Sequence, residues 1–167
     1  MSAIGVHLLT RLLDRHGAAL VLYARQWCDT PEDVVQEALL SLVRQTRVPE
    51  NVVGWLYRVV RNGAVSASRG ARRRKHHETA AAGCNEAWFE GAHDERLDAD
   101  AATAALKGLP IEQRETIVAR LWGGLSFEEI AELTGSSTSS AHRHYHAGLS
   151  ALRERLGVAC PKKNNTR

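Results

Sequence analysis

Basic side chains that could bind a polyanion are concentrated in one short stretch of the sequence. Residues 69–75 have the sequence RGARRRK, which contains five basic residues and no acid. Dense charge of one sign more often indicates a polyanion partner than a solvated helix end, although the residues alone fit both interpretations. The whole chain is only mildly basic, with a net charge of +3 and a pI near 9.0. The prediction therefore depends on where the charge lies and not on its sum.

A second group of candidate contacts follows a helix-turn-helix pattern. Residues 126–129 (SFEE) predict a capping box at a helix start, Gly135 suits the turn, and Ser137 or its neighbours can cap a final helix. The polar, basic leading face of that helix suits the major groove of DNA, where Arg143 can bind guanine or phosphate. The candidate contacts are Ser137, Ser139, Ser140, His142, Arg143 and His144. A plain solvated face stays open as the alternative, because helical hairpins are common in structural roles.

Aromatic and basic residues lie side by side in a third stretch, residues 55–62 (WLYRVVRN). Such a mixture can hold single-stranded DNA through stacking on rings such as Tyr57 and phosphate contacts to the arginines. Trp55 lies on the apolar stripe of its predicted helix, which favours a core position for it over stacking. The candidate single-strand contacts are Arg58, Arg61, Asn62, Arg69, Arg72, Arg73, Arg74 and Lys75.

The histidines near the C-terminus raise the question of a metal site. His142 and His146 are four residues apart, which places both on one helix face. Two ligands are too few, and no third carboxylate or thiol stands at a fitting spacing, so we predict no metal site. Protonation of the cluster formed by His142, His144 and His146 would instead make DNA binding depend on pH.

Other catalytic patterns are missing from the sequence. It contains no phosphate-binding loop, no nucleophile elbow and no paired carboxylates at a definable site, so we predict neither an enzyme nor a cofactor. Cys28, Cys84 and Cys160 are odd in number and widely spaced, which favours free thiols over disulfides. No apolar run approaches the roughly 18 residues of a membrane span, and no export signal precedes Arg15. We expect a cytoplasmic protein without membrane insertion.

Helical periodicity dominates the chain and predicts an all-α fold. The N-terminal part suggests two helical segments broken or bent near Gly17, followed by a helix over about 31–46 with Thr30 as N-cap and Pro31 in its first turn. A further helix is predicted over about 52–75. The apolar stripe of the helix after Pro110 includes Leu121 and Trp122.

Charge divides the chain into two small helical domains. Residues 78–104 contain seven acids against one base, which predicts a flexible acidic linker. The predicted organisation is a domain over 1–77, a linker over 78–97, a domain over 98–160 and a basic tail over 161–167.

Two segments resemble one known family. Leu106–Leu156 is similar to region 4 of bacterial extracytoplasmic-function sigma factors, Pro31–Gln45 to their region 2.2, and Val53–Lys75 to their regions 2.3 and 2.4. The resemblance implies a region 2 helical bundle and a region 4 helix-turn-helix joined by the linker. The sequence departs from the family pattern at Ser136 and Ala141, which predicts leaner packing of the recognition helix. Gly148 in the interior of that helix also costs about 1 kcal/mol against alanine.

The resemblance also implies a transcription initiation factor that directs core RNA polymerase to specific promoters. Region 2 would open and read the −10 element, and region 4 would read the −35 element. The implied partners are promoter DNA and the beta-prime clamp helices and beta flap of core polymerase, with an anti-sigma factor as a further candidate. The family pattern makes Asp33, Gln36 and Glu37 the polymerase-binding residues, whereas the residues alone also fit helix-dipole partners.

Two rival functions remain on the sequence alone. A stand-alone helix-turn-helix regulator would explain the C-terminal half but leaves the resemblance of Pro31–Gln45 unexplained. A helical protein-interaction module would treat the basic patches as incidental, and its binding would be insensitive to salt.

Overall fold

The computed structural model describes residues 5–77 and 96–157. These residues form seven helices and no strand, which confirms the predicted all-α fold. The helices are α1 (Val6–Ala24), α2 (Pro31–Val43), α3 (Val52–His77), α4 (Arg96–Lys107), α5 (Ile111–Leu121), α6 (Phe127–Thr134) and α7 (Thr138–Arg155). Nearly all of the predicted linker and the whole predicted basic tail lie outside the described residues. No helix within the described ranges is both long and apolar enough to cross a membrane.

Helices α1, α2 and α3 pack against one another and form the N-terminal unit, residues 5–77. Their shared core includes Leu20, Leu42 and Val60, all essentially without solvent exposure. Helices α2 and α3 approach closely at Gly63, where an added Cβ would lie 3.0 Å from a methyl of Val34. This close approach fixes α3 along α2, so the exposed faces of both helices belong to one rigid surface.

The structure corrects two local predictions for the N-terminal unit. Helix α1 is continuous through Gly17, because the apolar residues on both sides of that glycine, Leu12 and Leu20, are buried in the same core. A glycine inside a helix costs only about 1 kcal/mol, which tertiary burial outweighs. Thr30 is the N-cap residue of α2, as predicted, but its side chain makes no capping hydrogen bond. The helix instead begins with Pro31 and two acids in its first turn, and one of these, Glu32, pairs with Arg25 at 2.9 Å.

Helices α4 to α7 form the C-terminal unit, residues 96–157, and α5 packs mainly on α7. Gly148 of α7 lies at this contact, where an added Cβ would stand 2.6 Å from the end of Ile117 and 3.2 Å from Cβ of Gln113. The glycine at this helix-interior position therefore has a packing reason, since it lets two helices approach closely.

The predicted helix-turn-helix signals are confirmed. Ser126 and Glu129 form a full capping box at the start of α6, and Gly135 ends that helix with φ 68°. The side chain of Ser137 accepts a hydrogen bond from the backbone of Ser140 and caps α7. The predicted stripe of α5 is wrong at its end, because Leu121 and Trp122 are 53% and 43% exposed where the helix gives way to a turn.

The two units share one hydrophobic core. Helix α1 packs on α5, and α3 packs on α6. At the centre of this contact the buried ring of Tyr57 lies under the turn after α5, where an added Cβ on Gly123 would stand 2.7 Å from the Tyr57 hydroxyl and 2.5 Å from the carbonyl oxygen of Ala119. Only a glycine leaves room for both neighbours.

A matched pair of glycine substitutions tests this packing. We expect Gly123→Ala to destabilise the protein by about 1–3 kcal/mol, because the added methyl meets backbone and a buried ring. Gly17→Ala should stabilise it by about 0.5–1 kcal/mol, because the site is inside a helix and its nearest neighbour is a side-chain atom at 3.9 Å. Urea-unfolding midpoints measure both effects, and equal midpoints for the two variants would contradict the packing described.

Candidate nucleic-acid interface

The leading face of α7 is organised by its own hydrogen bonds. The Ser137 hydroxyl donates to Oγ of Ser140 at 2.9 Å, and the guanidinium of Arg143 donates to the same oxygen at 3.4 Å. Ser139, Arg143 and His142 are exposed, whereas His144 is only partly exposed. The predicted contact residues thus lie together on the first two turns, at the end of the helix where backbone N–H groups favour anions.

Ring contacts order the histidines on α7. Nε2 of His142 and Nε2 of His146 are 3.3 Å apart, a distance at which one ring can donate to the other. The His142 ring also lies 4.8 Å from the ring of Phe127, so α6 and α7 are joined along this edge. Among the described residues, no group of three or more side chains is arranged to hold a metal ion.

Helix α3 carries a long basic face, on which positions three and four apart align. Of the predicted single-strand contacts on this helix, five are exposed, and these are Arg58, Asn62, Arg69, Arg72 and Arg73. From Arg58 to Arg73 the face runs about 22 Å along the helix axis. We call this row, with Arg61, the α3 basic face. Arg74 and Lys75 continue the helix, but their side chains lie outside the described part of the chain.

The aromatic residues of α3 pack in the core and are not part of the α3 basic face. Tyr57 has no solvent exposure, so the expectation that it stacks on single-stranded bases is wrong. Trp55 is partly buried and packs against the core, which agrees with the core position favoured for it. The sequence alone could not distinguish a core position from a base-stacking position for Trp55 and Tyr57, because both rings lie near arginines along the chain.

Arg61 is engaged by an acid of the C-terminal unit. Its Nε donates to Oε1 of Glu115 at 2.6 Å, and its Nη2 lies 3.5 Å from the other oxygen. The Glu115 side chain is only 4% exposed and also accepts a hydrogen bond from the Tyr23 hydroxyl at 2.5 Å. The Arg61 guanidinium lies 5.9 Å from the ring of Trp27. Residues from α1, α3 and α5 therefore meet at one buried carboxylate.

The protonation states at this carboxylate follow from their surroundings. Burial raises the pKa of Tyr23 well above its usual range, and the charge of Glu115 and the hydrogen bond to it raise this pKa further. Burial lowers the pKa of Arg61, but the hydrogen bond and charge of Glu115 outweigh it and raise the pKa overall. Tyr23 is thus a fixed donor and Arg61 a fixed cation at neutral pH.

Sequence reasoning missed Glu115 and Tyr23. The signal available was that Glu115 falls on the same helical face as Ile111 and Val118, where a charge is out of place unless something pairs with it. The sequence could not say what that partner was.

Two further contacts join the start of α3 to α6. The guanidinium of Arg58 lies 3.5 Å from a carboxylate oxygen of Glu132, with both side chains more than half exposed. The amide nitrogen of Asn51 donates to Oε1 of Glu129 at 2.5 Å.

The predicted polymerase-binding residues lie on the exposed side of α2. Asp33, Gln36 and Glu37 are all exposed. Asp33 and Glu37 line a groove of about 460 Å³ between α2 and α3, whose opposite wall includes Asn62. The structure thus brings an acidic rim and one end of the α3 basic face to the same groove.

Comparisons with known proteins match both units. The family model for sigma-70 region 2 matches residues 12–74, and the model for sigma-70, region 4 matches residues 99–152. RNA polymerase sigma factor SigV of Bacillus subtilis (strain 168) is 29% identical over 77% of this chain and 76% of its own length. RNA polymerase sigma factor CarQ of Myxococcus xanthus is 33% identical over 75% of this chain and 74% of its own length.

A solved structure shows the same fold. The sigma factor RpoE of Bartonella quintana, solved in complex with the anti-sigma factor NepR, matches with a TM-score of 0.75 at 24% identity, over 92% of this chain and 99% of that one. Two sigma regions in the order predicted, on one helical fold, define a sigma factor of the sigma-70 type. The chain belongs to the sigma-70 family, in its extracytoplasmic-function group.

Membership of this family establishes the general function. The protein is a transcription initiation factor that directs RNA polymerase to promoters. The family consists of non-catalytic factors that act with polymerase in the cytoplasm.

A matched pair of tyrosine substitutions tests the buried carboxylate. We expect Tyr23→Phe to destabilise the protein by about 1.5–3 kcal/mol, because it removes a buried hydrogen bond to a charged group. Tyr57→Phe should be neutral or slightly stabilising, because the Tyr57 hydroxyl is buried with no hydrogen-bond partner. Urea unfolding compares the two, and a larger loss for Tyr57→Phe would show that the hydrogen bonds are assigned wrongly.

Proposed function

We propose that three surfaces of this chain divide the work of promoter recognition. The first turns of α7 bind the −35 element as duplex, the α3 basic face binds and holds open the −10 element, and the exposed acidic side of α2 binds core polymerase. The observation that carries the proposal is that one chain presents the α7 face and the α3 basic face, both of the composition that DNA binding requires, on the two regions matched by the family models.

The −35 contact is supported by the geometry of α7. A helix start with exposed Ser139, Arg143 and His142 offers backbone N–H groups and serine hydroxyls to phosphate and a guanidinium to guanine. The Arg143 side chain already lies along the face through its contact with Ser140. Less of its conformational freedom is then lost on binding.

The −10 contact is supported by the length and charge of the α3 basic face. Its arginines lie on one line and match a single strand that follows the helix, with phosphates as the main partners. Since Tyr57 is buried, base stacking on α3 does not come from that ring.

The polymerase contact is supported by the acidic rim of the groove on α2. Asp33 and Glu37 are one helical turn apart and both exposed, so they can pair with basic side chains of a partner helix. By the family pattern the partner is the beta-prime clamp helices, while the C-terminal unit contacts the beta flap.

The proposal also covers a regulatory partner and the cellular compartment. An anti-sigma factor is a candidate partner of this chain, because the Bartonella RpoE was solved with one. We infer that the protein acts in the cytoplasm as a binding subunit and catalyses no reaction itself.

One experiment tests the whole proposal. The purified chain should co-elute with bacterial core RNA polymerase and make it start transcription at specific genomic sites, whose upstream sequences then give both promoter elements. DNA binding without polymerase association would favour the stand-alone regulator instead, and salt-insensitive behaviour without DNA retention would favour the interaction module.

The −35 surface can be tested with two arginines of one helix. Arg143→Ala should weaken binding to duplex DNA carrying the mapped −35 element by about 1–3 kcal/mol, because it removes a base or phosphate contact. Arg153→Ala removes the same charge from an exposed position in the last turn of α7 and should have little effect. Gel shifts with the full chain measure both, and equal losses would place the contact elsewhere.

The polymerase surface can be tested by neutralising acids. Asp33→Asn combined with Glu37→Gln should weaken association with core polymerase roughly tenfold, because complementary charge is lost at the interface. The control is Asp14→Asn combined with Glu112→Gln, which removes the same charge from exposed positions on α1 and α5. Competition against the unmodified chain for polymerase gives the ratio, and an unchanged ratio for the first pair would contradict the assignment.

A further inference from the structure

The exposed side of α7 carries two histidines whose ring nitrogens lie close together. We propose that His142 and His146 form an open zinc-binding site on this side of the helix, and that bound zinc strengthens the binding of α7 to duplex DNA. Zinc binding follows from the geometry of the pair, whereas its effect on DNA rests on the proposed −35 contact of α7.

The distance between the two nitrogens fits a tetrahedral metal ion. Nε2 of His142 and Nε2 of His146 are 3.3 Å apart. Two Zn–N bonds of about 2.0–2.1 Å that meet at the tetrahedral angle hold their nitrogens about 3.3–3.4 Å apart. A right angle between the same bonds, as square-planar or octahedral ions require, brings the nitrogens to about 2.8–3.0 Å. Since imidazole nitrogen is also a preferred zinc ligand, zinc fits the pair best.

Ring packing holds both imidazoles in place. The ring of His142 lies 4.8 Å from the ring of Phe127 on α6. Tyr145 packs edge to face against both the Phe127 ring and the His146 ring, at 5.5 Å in each case. The two histidine ring centres are 4.3 Å apart, farther than the two Nε2 atoms, so the rings turn their Nε2 edges toward each other. Zinc can therefore bind at little cost in side-chain freedom.

The site is open to solvent, unlike the closed sites that fold around a metal. Two imidazoles leave the other positions of a tetrahedral zinc ion to water, and within the described ranges no third His, Cys, Asp or Glu joins the pair. The sequence offered only a count of ligands, which was too low for a closed site. We expect half-saturation at roughly 1–200 µM zinc, because two ligands supply about half of the binding free energy of a four-ligand site.

The pair lies on the side of α7 that is proposed to contact DNA. Positions three and four apart share a helix face, and one such exposed face is formed by Ser139, His142, Arg143 and His146. His146 therefore belongs to this face, although the sequence did not single it out as a DNA contact. A hydrated zinc ion held here adds two positive charges close to Arg143, on the side where phosphates of a bound duplex approach.

A zinc titration followed on the histidine rings tests the site itself. The full chain carries Cys84→Ser and Cys160→Ser, which remove thiols that compete for zinc. Long-range proton–nitrogen NMR spectra report the state of each ring nitrogen, and single histidine variants assign the signals. We expect the Nε2 signals of His142 and His146 to shift together when zinc is added and to return when EDTA removes it, while those of His144 stay unchanged.

The variant His146→Gln separates a metal site from a hydrogen-bonded pair. Glutamine is a good helix former and can still hydrogen-bond His142, but it is a poor zinc ligand. Zinc should then no longer shift the His142 signals. The matched control is His144→Gln, which removes one histidine of the same helix and leaves the pair intact. A His142 shift that survives His146→Gln, or no shared shift in the unmodified pair up to about 1 mM zinc, would overturn the site.

The effect on DNA is measured as a ratio of affinities. Fluorescence anisotropy gives the affinity for duplex carrying the mapped −35 element in zinc and in an equal concentration of magnesium, which screens charge equally but prefers oxygen ligands. We expect zinc to raise the affinity roughly fivefold over magnesium for the unmodified chain and for His144→Gln, but not for His146→Gln. The ratio cancels any change that a substitution makes to the zinc-free affinity.

The outcomes separate this site from the proposed function. The ring titration needs neither polymerase nor DNA, so it decides zinc binding even if the chain fails to direct polymerase. In that case the role of zinc at the −35 contact falls together with the proposed function. Shared ring shifts combined with equal affinity ratios for the unmodified chain and His146→Gln would overturn the strengthening of DNA binding and leave the proposed function standing.

Discussion

A single buried carboxylate holds the two halves of this protein together. Glu115 accepts hydrogen bonds from α1 and α3, although it lies 92 residues from Tyr23 and 54 from Arg61 along the chain. A buried acid without such partners would be costly, so the three side chains form a set in which each depends on the others. The aromatic rings of Tyr23, Trp27 and Tyr57 pack edge to face beside it and supply the apolar part of the same contact.

Small residues allow this contact to form. Gly123 lets the turn after α5 lie on Tyr57, and Gly148 lets α7 lie on α5. Both contacts fix the position of α5, the helix that carries Glu115. In neither case is a left-handed backbone the reason for the glycine, since the positive φ angles among the described glycines belong to Gly124, Gly135 and Gly157. Close approach of neighbouring atoms is the requirement that a side chain would violate at these two positions.

The sequence predicted what depends on neighbouring residues and missed what depends on distant ones. The capping box at Ser126 and the cap at Ser137 were predictable, because each is a bond between a side chain and the backbone within three residues. The turn at Gly135 was predictable because a left-handed residue after a helix is most often glycine. The break at Gly17, the stacking role of Tyr57 and the apolar position of Trp122 were wrong, because burial by other helices decides each of them. Nothing local to α3 shows that Arg61 meets Glu115. The roles assigned to single residues of the DNA and polymerase surfaces stay predictions.

The uncovered end of the α3 basic face has a kinetic consequence. Arg69, Arg72 and Arg73 are exposed while Arg58 and Arg61 are paired with acids, so the molecule presents a concentrated positive potential to its surroundings. Such a potential attracts polyanions over about one Debye length, roughly 8 Å at physiological ionic strength. The arginines that attract DNA from a distance are therefore different residues of α3 from the two arginines that are paired with acids. Encounter with DNA can be fast and sensitive to salt even though Arg58 and Arg61 are paired with acids.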